Sequence, residues 1–237
     1  MKITLITLFV LLMISPLDGL AKIYKKSLTT KRVDTRPNEY NNDIWTYTTE
    51  VDMYSYTSFL NMTLDYSDSN GWDIQLANYN DQIYGKNAKD YTGTEYLNIS
   101  KSFYLNKHYS FLLGSQIGTT LFTTLKPMYL FEYGLFTIQP NKYFNIQLGS
   151  YFANSSLTTT TDVIGYIIGF TVNNYNGSLI LQGDYYSGEN NVSSAVINLL
   201  YRANNTTQPY IGVEIPETSS GNDFYGIVGL NYTFNNH

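Results

Sequence analysis

The stretch FYGIVGLNYTFNNH, residues 224–237, decides the fold. Phe224, Val228, Leu230, Tyr232 and Phe234 fall on one side of an extended chain, and Tyr225, Gly229 and Asn231 on the other. Successive strand residues point to opposite faces. This stretch therefore predicts a strand with one apolar and one mixed face, finished by an aromatic three residues before the end.

The same period of two recurs upstream. In YFNIQLGSYF (143–152), Phe144, Ile146, Leu148 and Phe152 oppose Asn145, Gln147, Gly149 and Tyr151. In VIGYIIGFTV (163–172), Ile164, Tyr166, Ile168, Phe170 and Val172 oppose Gly165, Gly169 and Thr171. Alternation lasts about ten residues, is broken by Asn, Gly, Pro, Ser or Asp, and resumes. About twelve strands follow: 44–54, 57–66, 72–81, 94–105, 108–121, 128–139, 143–153, 162–173, 178–187, 194–203, 209–216 and 223–234. Ten is the alternative, because EVDMYSYTSFL (50–60) holds no strong turn signal.

Two details favour a membrane barrel over a soluble sandwich. The polar face carries Gly, Asn, Gln and carboxylates, as a wet lumen would, and the apolar face ends in aromatics, as girdles at the two membrane interfaces require. In lipid a sheet must close, because edge amides find no water. The predicted fold is all-β: one antiparallel up-and-down transmembrane barrel. Tight turns at Asn106-Lys107, Pro140–Lys142 and Asn174–Gly177 then belong to the periplasmic side with both termini. The longer stretches 82–93, 154–161, 187–193 and 217–222 form the outer loops.

Composition agrees. The chain has 24 Tyr, 12 Phe and no Cys, and only 14% of its residues are charged, against about a quarter in soluble domains. Residues 1–21 read as a signal peptide: Lys2, an apolar run over Ile3–Ile14, then Gly19-Leu20-Ala21. That run is too short for a spanning helix, which needs ~20 residues. Residues 22–42 form a basic periplasmic segment of disordered composition, with Lys22, Lys25, Lys26, Lys31, Arg32 and Arg36. The barrel occupies 43–234 and a tail 235–237. Nucleic acid is a poor partner for such an exported segment. The expected partners are outer-membrane lipid and a small solute.

Parity assigns Glu50, Asp52, Asp65, Asp73, Glu132, Asp184 and Glu214 to the lumen, against the single base Arg202. Seven acids to one base predict a negative interior that favours cations or neutral solutes. Eight-stranded barrels are filled by side chains and those of sixteen or more hold a channel; twelve fits either a narrow pore or a blocked barrel. Lumen glycines (114, 118, 134, 149, 165, 169 and 212) leave room and favour the pore. Lys101 shares its parity with Leu97, Ile99 and Phe103 on the lipid face. Either it snorkels at the periplasmic interface or a bulge shifts the parity; the nearby turn at Asn106 favours snorkelling.

Catalytic chemistry is poorly supplied. His108 and Ser110 have the His-x-Ser spacing of barrel lipid hydrolases, but parity and topology put them on the lumen side by a periplasmic turn, away from outer-leaflet lipid. SDSNG (67–71) reads as a turn. The other histidine is His237, so neither a His-rich metal site nor a Ser-His-acid triad is expected. The reading is of no enzyme, no cofactor and no metal. Calcium on the loop residues Glu189, Asn190, Glu217, Asn222 and Asp223 is chemically feasible, although solvated loop charge is the simpler account.

The final strand resembles the C-terminal assembly signal of Gram-negative outer-membrane barrels, departing from it only in the overrun Asn235–His237. That resemblance implies the cell outer membrane and recognition by the barrel-insertion machinery. More weakly, residues 182–234 (GDYYSGENN, then LLYRANNTTQPYIGVEIPETSSGND) are similar to the phenol-degradation-type outer-membrane transporter family, whose members pass small organic molecules. Together these readings imply a passive small-solute channel. The alternative is a structural or adhesive barrel with a closed lumen and interacting outer loops.

Overall fold

The computed structural model describes residues 44–85, 93–120, 128–220 and 223–235. The signal-peptide and basic-segment assignments (1–42), parts of the predicted loops 82–93 and 217–222, and the last two tail residues lie outside them. The described residues form twelve strands: β1 (Ile44–Met53), β2 (Ser58–Ser67), β3 (Trp72–Tyr84), β4 (Thr94–Tyr104), β5 (Tyr109–Thr119), β6 (Met128–Asn141), β7 (Phe144–Ala153), β8 (Ile164–Asn173), β9 (Leu179–Tyr186), β10 (Ser194–Tyr201), β11 (Thr207–Pro216) and β12 (Tyr225–Asn235). Each pairs antiparallel with its sequence neighbours, and β1 pairs with β12 from Ile44↔Asn235 to Met53↔Gly226. The sheet is a closed barrel, and the opening stretch is the strand that closes it.

Twelve strands form because the first hairpin turns without a strong signal: the Tyr54 amide donates to the Thr57 carbonyl at 2.9 Å. At the opposite end, where Ile44 and Asn235 lie, the turns are built by Asx side chains. Asp68 Oδ1 accepts from the Trp72 amide at 2.7 Å, Asn106 Oδ1 from the His108 amide at 2.8 Å, Asn141 Oδ1 from the Tyr143 amide at 2.9 Å and Asn204 Oδ1 from the Thr207 amide at 2.8 Å. Short polar side chains here satisfy backbone donors that the ladders leave over. Strand β11 starts at Thr207, two residues earlier than predicted. Pro209 is tolerated inside it because the ladder to β10 begins only at Tyr210.

The outer wall is apolar. Leu64, Leu76, Ile99, Leu113, Leu148, Ile168, Leu199, Val228 and Leu230 are exposed along it. Exposed aromatics flank them: Trp72, Phe103, Tyr109, Tyr232 and Phe234 at the turn end, Tyr84, Tyr166, Tyr185 and Phe224 at the loop end. This is the band-and-girdle pattern of a barrel in lipid. Lys101 keeps its outward parity, since the ladders on both sides of β4 run without a shift. Its Nζ donates to the Asn70 carbonyl in the β2–β3 turn and lies 5.0 Å from the Trp72 ring centroid. The charge leans toward the turn end along its alkyl stem, the snorkelling alternative.

Candidate functional site: the barrel lumen

Six of the predicted lumen acids face inward. Glu50, Asp52, Asp65, Asp184 and Glu214 are buried and Asp73 is half-buried. Neutral donors hold five of them. Glu50 accepts from Tyr210 Oη at 2.6 Å and from Asn61 Nδ2 at 3.2 Å, and the same Asn61 amide reaches Asp52 at 2.6 Å. Asp65 accepts from Gln75 Nε2 at 2.6 Å and Thr63 Oγ1 at 3.1 Å, Asp73 from Ser67 Oγ at 2.7 Å, and Glu214 from the Tyr225 hydroxyl. Such bonds stabilise a carboxylate without cancelling its charge. Arg202 lies just beyond β10 at the turn end, half-buried, its amide donating to Ser178.

Glu132 is a correction. It is exposed on the outer wall, paired with Ser115 and Phe152, and lines an external groove of about 640 Å³ with Trp72, Lys101, Leu113 and Ser150. Strand β6 is apolar on both faces, so its carboxylate alone suggested which side is inward. Register decides otherwise: lumen Gly114 pairs with Tyr133, which turns Tyr129, Phe131, Tyr133 and Leu135 inward and Glu132 and Gly134 outward.

The lumen glycines are a second correction. Gly114, Gly118 and Gly165, and with them Gly229, seat rings rather than leave space, and Gly134 faces outward. Gly118 pairs with Tyr96, Gly114 with Tyr133, Gly165 with Tyr151 and Gly229 with Tyr210, and in each case an added Cβ would collide with the partner's ring. Sequence reading missed these inward tyrosines as a group; the signal was a Gly on the lumen face of a neighbouring strand. Tyr79, Tyr96 and Tyr129 then stand in a row, with centroids 5.4 and 6.2 Å apart.

The loop end adds a cover that parity could not foresee. A short helix, α1 (Ser155–Thr158), is capped by Asn154, whose side chain accepts from the Leu157 amide at 3.1 Å. Leu157 and, from the β9–β10 loop, Val192 pack into the inner aromatic cluster with Tyr129, Phe131, Tyr151 and Tyr186. Asn190, fully buried, ties the two loops: its Nδ2 donates to the Asp162 carbonyl at 3.0 Å and to Tyr151 Oη at 3.2 Å. Inward residues at the turn end of β1, β3, β4, β11 and β12 are more open: Thr46, Asp73, Gln75, Ser102, Gln208 and Thr233 are half-buried. On these strands the inner wall is thus more open and polar at the turn end than beneath the loops, where tyrosines and acids pack.

His108 and Ser110 sit at the turn end, where His108 Nδ1 lies 2.8 Å from the Gln139 carbonyl oxygen. Among the described residues no group of three or more His, Asp or Glu side chains is placed to hold a metal.

A closed, twelve-stranded, antiparallel barrel with an aliphatic band between aromatic girdles is an outer-membrane-type β-barrel of porin-like fold. Among solved structures, it is similar to the NanC porin, 12% identical, with a TM-score of 0.57 over 80% of this chain and 98% of that one. The KdgM porin is similar at 12% identity and a TM-score of 0.57, over 81% and 99%. The outer membrane phospholipase dimer of Salmonella typhi, with bound calcium, follows at 11% identity and 0.51, over 85% and 95%. At these identities the likeness is one of fold. No family model matches the chain, so the phenol-degradation resemblance has none behind it, and no curated protein matches either.

Proposed function

We propose that this protein is a narrow passive channel of a Gram-negative outer membrane, admitting small cations and neutral solutes. One observation carries the reading: a closed twelve-stranded barrel whose inner wall gathers Glu50, Asp52, Asp65, Asp184 and Glu214, each facing the axis. Carboxylates between low-dielectric walls focus a negative potential that concentrates cations and repels anions. The porin-like fold of NanC and KdgM supports the same reading. The activity is passive and needs no cofactor or covalent step. Residues 1–21 serve export, outer-membrane lipid is the solvent of the outer wall, and β12 presents the assembly signal to the insertion machinery.

Single-channel recording of the refolded chain tests this. Small, cation-preferring conductance is expected, with Asp52→Asn and Glu50→Gln lowering the preference. Anion preference in the wild type would overturn the reading. A second reading, a closed barrel acting through its outer loops, is favoured by the burial of Tyr129 and Tyr186 beside Leu157 and Val192. Absence of any current, in the wild type and after Leu157→Ala, would select it.

A further inference from the structure

The inner face of β9–β11 carries an arrangement that permeation alone does not require. Gln182 and Asn198 are direct register partners across β9–β10, and both are more than nine-tenths buried. Among the described residues, no donor reaches Gln182 Oε1 or Asn198 Oδ1. Buried amide oxygens without a donor are costly. Asn198 pairs on its other side with Gly212, and its carbonyl oxygen lies over that glycine where any Cβ would collide with it.

Two carboxylates flank this pair on the same face. Asp184 is two residues from Gln182 along β9, and Glu214 is two residues from Gly212 along β11. Val196 lies between them, paired to both. Tyr225 holds one Glu214 oxygen, which orients the carboxylate. The patch offers four oxygen acceptors, two carboxylate and two amide carbonyl, beside the NH2 groups that the two amides also carry.

From this juxtaposition we propose that Asp184, Glu214, Gln182 and Asn198 form a binding site for a hard divalent cation of the Ca²⁺ class in the lumen wall. Ca²⁺ takes Asp and Glu carboxylates together with Asn and Gln carbonyls in flexible geometry. Two carboxylates balance its charge, and the two amide oxygens gain the partner they lack. Mg²⁺ demands a tighter octahedron and fits a set drawn from three strands less well. The site rests on lumen geometry; only its effect on current rests on the channel reading, so binding is read without current.

The full chain in detergent micelles is loaded with Tb³⁺, excited through tyrosine and displaced by Ca²⁺. Tyrosine-sensitised emission is expected, lost on Ca²⁺ addition and much less on Mg²⁺. Asn198→Leu and Gln182→Leu should each weaken Ca²⁺ competition about tenfold or more, the scale on which losing one supporting group weakens metal sites. Glu189→Gln with Glu217→Gln, on the loops, should leave it unchanged. No sensitised emission, equal displacement by Mg²⁺, or competition lost only with the loop pair would overturn the proposal. Should a leucine variant fail to fold, Asn198→Asp is the second arm: an added carboxylate must tighten Ca²⁺ binding, and unchanged affinity overturns the site.

Discussion

Gly118→Ala is expected to destabilise the barrel, although alanine is ordinarily the better strand residue. A Gly→Ala change at a compatible position stabilises by about 0.4–1 kcal/mol, because the unfolded chain loses freedom. At Gly118 the new methyl meets the Tyr96 ring, which is buried between Tyr79 and Tyr129 and has little space to yield. Overpacking of this kind costs about 1–3 kcal/mol, and a displaced ring forfeits stacking worth about 0.5–1.5 kcal/mol. The net is a loss of about 0.5–4 kcal/mol after the entropic gain. Gly226 is the internal control. It faces outward, and its added Cβ would find only the Met53 methyl at 3.6 Å, so Gly226→Ala should stabilise slightly. Urea unfolding in micelles, followed by tryptophan fluorescence, gives both values. A double-mutant cycle with Tyr96→Ala should remove the penalty at position 118 and show coupling above about 1 kcal/mol. Equal, benign effects at 118 and 226 would refute the idea that lumen glycines seat rings.

Other expectations follow from named contacts. Glu132→Leu should stabilise the barrel in bilayers, by less than the ~2–4 kcal/mol that a Lys or Arg costs at the midplane, and leave ion preference unchanged; lipid-reconstituted unfolding and reversal potentials check both. Asn190→Ala removes three hydrogen bonds, to Tyr151 Oη, to the Asp162 carbonyl and from the Val192 amide. At about 0.5–1.5 kcal/mol per lost hydrogen bond, faster proteolysis in the 154–163 and 187–193 loops and a larger conductance should result. Lys101→Glu places a carboxylate against the Asn70 carbonyl and the Trp72 ring; slower refolding into vesicles should follow, while Lys101→Arg refolds normally.

The strand pattern was legible because each strand has one face in lipid, where polar side chains are excluded. Phe144 to Phe152 and Phe224 to Phe234 show it most clearly. What alternation could not supply was the parity of β6. Inward Tyr129, Phe131, Tyr133 and Leu135 are as apolar as outward Leu130, Phe136 and Ile138, because the inner face of β6 packs beneath α1 rather than facing water. Glu132 was misplaced for that reason. Composition also misled about the glycines: a missing side chain reads as space until the register shows whose ring fills it. Six of the seven acids predicted for the lumen do face inward, since a carboxylate on a strand with a clear lipid face has one other side to go to. The cover formed by Leu157, Asn190 and Val192 depends on loop-to-loop hydrogen bonds and carries no period in the sequence.

The central claim is that the inward carboxylates set a negative, selective passage through a closed barrel. It is tested most directly by the reversal potential of the reconstituted full chain across a KCl gradient, with Asp52→Asn and Glu132→Gln measured alongside. The expected result is a cation-selective potential that falls toward zero with Asp52→Asn and does not move with Glu132→Gln. A potential of the opposite sign, or one that shifts with Glu132 and not with Asp52, would contradict it.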